Sequence, residues 1–88
     1  MKQDLLTFTR TIGDPTRLLI LNRLKKECCV GELWKKLDLP QNLVSHHLKV
    51  LRDANLIISE KRGLKVVYRL NKNSLVKNLN KLNAYLKQ

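Results

Sequence analysis

Two short apolar stripes separated by the three residues Asp38, Leu39 and Pro40 constrain this chain more than any other feature. Val30, Leu33, Trp34 and Leu37 recur at helical spacing before that break, and Val44, His47, Leu48 and Leu51 recur at helical spacing after it. A 3.6-residue period puts Asn42, Ser45, His46, Lys49 and Arg52 on the side of the second helix opposite its apolar residues. The apolar side docks on a core, and the polar side faces outward. Amide, hydroxyl and imidazole groups near the start of that helix suit base edges, whereas Lys49 and Arg52 suit phosphates. Two helices this close, the second with such an outer face, make the helix-turn-helix pattern, and duplex DNA is the expected ligand.

Charge points the same way. The 88 residues hold 18 Lys and Arg against seven Asp and Glu, a formal net charge of +11, which implies a polyanionic partner. No apolar run approaches the roughly 20 residues that span a bilayer, and Met1-Lys2-Gln3-Asp4 lacks the apolar segment of a signal peptide, so no membrane partner and a cytoplasmic location are expected. The length reads as one domain over residues 1–88. A chain of this size buries a modest core, which makes pairing with a second copy useful.

Few Gly and Pro interrupt the chain, so each marks a boundary. Leu5, Leu6, Phe8 and Ile12 predict a helix over 3–12 that ends at Gly13. Asp14-Pro15-Thr16-Arg17 reads as the start of the next helix, with Asp14 as cap and Pro15 where its missing N–H costs nothing; that helix should run to about Lys25-Lys26. After the helix-turn-helix, Leu56–Lys61 and Lys65–Leu70 are β-rich and read as a hairpin with a basic tip at Arg62-Gly63-Leu64. Leu75, Leu79, Leu82 and Leu86, spaced four, three and four, predict a final helix over 72–87 with a seam for another helix. The expected fold is mainly α with a small β-hairpin wing, in the order α-α-α-α-β-β-α.

The segments Asp14-Pro15-Thr16-Arg17, Cys29-Val30-Gly31-Glu32-Leu33, Ser45-His46-His47-Leu48-Lys49-Val50-Leu51 and Val67-Tyr68-Arg69-Leu70, in this order, resemble the ArsR/SmtB family of winged helix-turn-helix repressors. The resemblance covers nearly the whole chain. It implies a homodimer joined through the helices at 3–12 and 72–87, with paired recognition helices in adjacent major grooves of an inverted repeat. It also implies repression, relieved in many members by a metal ion, a metalloid or a thiol-reactive species. The rival from another class is a constitutive or architectural DNA-binding protein without a sensor site.

The family's sensor sites are largely missing. Aligned on Val30, the Cys-x-Cys-x-x-Cys site of arsenic-responsive members keeps Cys29 but has Gly31 and Trp34 at its other two positions. The zinc ligands that other members carry on the last helix have no counterpart, because Asn71 to Gln88 contains no Asp, Glu, His or Cys. His46 and His47, neighbours about 100° apart on a helix, make poor partners for one metal. No cofactor is expected; As(III) or Zn²⁺ at Cys28 and Cys29 is the exception kept open.

Cys29 stands where Ser or Thr would cap a helix, with Glu32 completing the box, so backbone N–H groups are expected to favour its thiolate. Cys28 is expected to fill an apolar gap. The two together are the candidate thiol sensor, and an ordinary buried pair is the plainer alternative. The candidate base-reading residues are Gln41, Asn42, Ser45 and His46, with capping as the plainer role of the first two, since Pro40 replaces the usual capping Ser. Lys49, Arg52, Lys61, Arg62 and Lys65 are expected at phosphates, with Arg62 able to enter a minor groove. His47 is expected to pack, and Trp34 and Tyr68 to belong to the core. No nucleophile–base pair or metal triad suggests an enzyme.

Overall fold

The computed structural model describes residues 3–88; the expectation drawn on Met1 and Lys2 lies outside the described residues. Among the described residues, five helices and three strands follow one another as α1 (Gln3–Ile12), α2 (Pro15–Arg23), β1 (Cys28–Cys29), α3 (Val30–Leu37), α4 (Gln41–Asp53), β2 (Ile57–Arg62), β3 (Lys65–Leu70) and α5 (Lys72–Leu86). This is the expected winged helix-turn-helix with one addition. The Cys28-Cys29 pair forms a third strand, and the antiparallel sheet runs β1-β3-β2. The two-stranded wing expected from sequence is corrected accordingly: two residues are too few to carry a strand pattern of their own, and β1 exists because β3 offers Val67 and Tyr68 to pair with it.

Local chemistry sets the boundaries. Asp14 caps α2 by accepting the Arg17 N–H at 3.0 Å, and Pro15 opens the helix. The helix closes at Leu24, before the expected Lys25-Lys26, where the backbone leaves helical geometry at φ −88°, ψ 12° and the side chain is buried. Asp38 adopts φ 51°, a left-handed conformation that a short polar side chain tolerates, and so reverses the chain between α3 and α4. Gly63, at φ 61°, lets β2 turn into β3 within two residues while Arg62 pairs with Lys65.

The core sits where α1, α2, α3 and α4 meet the inner face of the sheet. Ile20, Leu24, Leu33, Val44, Leu51, Leu56 and Ile57 are fully buried there. Trp34 and Tyr68 pack against this cluster, as expected of core aromatics. The seam of α5 divides. Leu75 and Leu82 pack on the chain's own core, whereas Leu79 and Leu86 stand 51% and 72% exposed. On a helix Leu79 lies about 40° round from Leu75, enough to carry it past the edge of the contact with α1.

Candidate DNA-binding surface

α4 presents two unlike faces because its apolar residues recur every three or four positions. Val44, His47, Leu48 and Leu51 are buried, and Gln41, Asn42, Ser45, His46, Lys49 and Arg52 are exposed. Pro40 holds the N-cap position without a side-chain bond, its carbonyl accepting the N–H groups of Leu43 and Val44 at 3.1 Å. Gln41 and Asn42 therefore sit inside the first turn rather than capping it. Leu43, exposed beside them, adds an apolar group that periodicity did not single out.

The cations of this surface differ in their engagement. Lys49 Nζ lies 2.8 Å from Asp53 Oδ2 one turn along α4. Arg62 is held more firmly: Nη1 and Nη2 donate to the two carboxylate oxygens of Glu27 at 2.7 and 3.2 Å, and Nε donates to Glu60 at 2.5 Å. The guanidinium in return holds the Glu27 carboxyl below the usual carboxylate range. Lys61 and Lys65 flank the wing tip, where Leu64 projects fully into solvent. Sequence reasoning passed over Glu27 because nothing in the order of residues places it beside a residue 35 positions away.

Beneath α4 lies a second contact that periodicity could not reveal. Arg17 Nε donates to the Thr11 carbonyl at 2.7 Å and Nη2 to the Arg10 carbonyl at 3.4 Å, and Nη1 lies 3.3 Å from Nδ1 of His47. His47 is packed as expected, but its partner is this guanidinium. The signal was the Asp14-Pro15-Thr16-Arg17 segment, which the sequence offered as a helix start and as part of the family resemblance but not as the source of this contact.

The cysteines stand apart from this surface. Cys28 pairs with Tyr68 and is buried, while Cys29 pairs with Val67, so successive strand residues carry the two side chains to opposite faces of the sheet. Burial pushes the Cys28 thiol above its ordinary range, with neighbouring Lys36 opposing the shift and Glu32 adding to it. Cys29 does occupy the N-cap position of α3, but its side chain makes no cap bond, which corrects the expected thiolate-favouring geometry. Glu32 lies 3.9 Å from Cys28 Sγ instead of closing a capping box. Two thiols on opposite faces do not chelate one ion, and among the described residues no group of three or more His, Cys, Asp or Glu side chains is placed to hold a metal.

Comparison with known proteins agrees with this geometry. Residues 14–59 match the family described as "Bacterial regulatory protein, arsR family". The chain is 42% identical over 62 residues to the HTH-type transcriptional repressor SmtB of Mycobacterium tuberculosis, covering 69% of this chain and 46% of that protein. It thus spans about half the length of that relative. It is 37% identical over 70 residues to the arsenical resistance operon repressor of Staphylococcus xylosus, covering 78% of this chain and 67% of that one. Among solved structures, NolR from Sinorhizobium fredii superposes with a TM-score of 0.78 at 33% identity, covering 94% of this chain and 84% of that chain. An ArsR-like transcriptional regulator from Rhodococcus sp. RHA1 gives a TM-score of 0.85 at 25% identity, over 93% and 78% of the two chains. Such proteins are transcription regulators rather than enzymes, and the chain belongs to the bacterial arsR family, on the winged helix-turn-helix fold.

Proposed function

We propose that this protein is a cytoplasmic homodimeric repressor that occupies an inverted-repeat operator. The observation that carries the reading is the exposed face of α4, where Gln41, Asn42, Ser45 and His46 stand free of the core at the start of a helix backed by buried Val44, Leu48 and Leu51. These four read base edges, while Lys49 and Arg52 on α4 and Lys61, Arg62 and Lys65 on the wing meet phosphates. Lys49 and Arg62 exchange exposed carboxylate partners for phosphate, an inexpensive exchange because ion pairs half open to water contribute little. Exposed Val76, Leu79 and Leu86 on α5, beside α1, support a partner copy of the same chain. No described helix is long and apolar enough to cross a membrane.

The burial of Cys28 favours a second reading of regulation, in which the protein binds its operator constitutively. Fluorescence anisotropy tests both levels. Reduced protein is titrated onto the DNA upstream of its own gene and onto a scrambled duplex, and As(III), Zn²⁺ or a persulfide donor is then added to the complex. A preference of roughly a thousandfold for the first duplex supports the repressor, and equal binding supports an architectural protein. Release by one agent that is lost in Cys29→Ser assigns a thiol effector. Persistence of the complex with every agent supports the constitutive form.

A further inference from the structure

We propose that Arg17 is a positioning residue for DNA reading: it ties the end of α1 to the recognition helix α4 through the ring of His47. This rests on the repressor reading above. Each end of the bridge is well defined. Nε and Nη2 of Arg17 donate to the carbonyls of Thr11 and Arg10 in the last turn of α1, the second of which also accepts the Gly13 N–H at 3.3 Å. The third nitrogen, Nη1, faces Nδ1 of His47, which is only 8% exposed in the middle of α4. A planar fork can hold both ends at once, and a lysine ammonium in its place cannot.

The chemistry of the contact fixes the state of the ring. Guanidinium nitrogens donate and never accept, so the contact needs Nδ1 of His47 as its acceptor, which only a ring carrying its proton on Nε2 alone supplies. A second ring proton removes the acceptor and sets two cations face to face. The charged groups around the ring are Arg17 and Asp14 from the start of α2, with His46 on α4 itself, its ring centroid 5.4 Å away. Glu60 and Arg62 of β2, which also packs on α4, are engaged with each other. Asp14 is already committed to capping α2. Loading His47 with a proton therefore loosens α4 from α1, and base contacts several residues along α4 lose their register.

The consequence runs against ordinary electrostatics. Protonating an imidazole at a DNA surface ordinarily strengthens attraction to phosphate. Protonation of His47 weakens operator recognition instead.

Three measurements on the full chain test this. In the wild type, long-range ¹H–¹⁵N spectra should show His47 as the Nε2–H tautomer, and an Nδ1–H tautomer overturns the contact. Arg17→Lys keeps the charge but loses the fork, and should reduce the preference for operator over scrambled duplex by about tenfold, the worth of one bidentate base contact. An undiminished preference in a folded Arg17→Lys overturns the positioning role. Finally, His47→Gln keeps an acceptor that does not titrate. As pH is lowered from about 8 to about 5, wild-type operator affinity should fall relative to His47→Gln. Parallel profiles overturn the proposal, and this readout stands even if Arg17→Lys fails to fold. A wild type that binds operator and scrambled duplex equally overturns the repressor reading itself, whereas the tautomer reports on the contact regardless of DNA.

Discussion

At the scale of single residues, the proposed reading separates two kinds of DNA contact along about two turns of α4. Asn42 and Ser45 stand exposed near its start and have no net charge, so on that reading they act by hydrogen-bond pattern and Lys49 by charge alone. Asn42→Ala or Ser45→Ala should lower discrimination between operator and scrambled duplex by about 1–3 kcal/mol per contact, whereas Lys49→Ala should weaken both duplexes alike. Competition binding separates the outcomes, and uniform weakening by Asn42→Ala would remove it from the base-reading set. The alternation that selected these residues was legible because a helix converts sequence spacing directly into faces. The contact made by Arg17 was not, since its guanidinium meets His47 across 30 positions.

Acid sensitivity also belongs to individual side chains. Asp14 is held below the usual carboxylate range first by the Arg17 backbone N–H, and Asp4, Asp53 and Glu27 by Lys81, Lys49 and Arg62. A carboxyl lowered by folding stabilises the fold fully above its unfolded pKa of about 4 and loses that contribution as pH falls through the lower folded value. Thermal melts should therefore change little between about pH 7 and pH 5 on account of these groups, and decline below about pH 4. Asn at position 14 still caps α2 without titrating. Asp14→Asn should flatten part of the acid limb, and an unchanged limb would mean that the Asp14 charge contributes nothing measurable.

At the scale of elements, the wing shows where sequence reading stops. Both strands of the hairpin and the turn at Gly63 could be read from β-branched runs and punctuation. Strand β1 could not, because a pair of cysteines carries no alternation and becomes a strand only against β3. With β1 comes Glu27, which reaches Arg62 from the segment just before it. A carboxylate that occupies the fork of Arg62 competes with phosphate for it. Glu27→Gln should therefore tighten binding to any duplex, by up to about fivefold given the modest worth of exposed ion pairs. A loss of affinity would show instead that Glu27 braces the wing in its binding position. Comparing Glu27→Gln with Glu27→Gln/Arg62→Gln assigns the gain to the freed guanidinium, which the double variant lacks.

At the scale of the whole molecule, the proposed dimer makes α5 the link between stability and DNA geometry. Its inner residues Leu75 and Leu82 complete the chain's own core, and its outer residues Val76, Leu79 and Leu86 leave apolar surface in water that a small domain has reason to cover. A second copy packed there would set two α4 helices on one side of the duplex, with half-sites about one helical turn, roughly 34 Å, apart. Leu79→Lys puts a charge into that seam while leaving Leu75 and Leu82 in place, so at tens of micromolar it should sediment as a folded monomer and the wild type should sediment as a dimer. The two states should differ in their response to salt. A dimer that neutralises on the order of 8 phosphates loses affinity with a log–log slope near −7, and a monomer with half the contacts should show about half that slope. A dimeric Leu79→Lys variant would place the interface elsewhere. A wild-type slope shallower than about −3 would count against two recognition helices and two wings engaging DNA together, whatever the state in free solution.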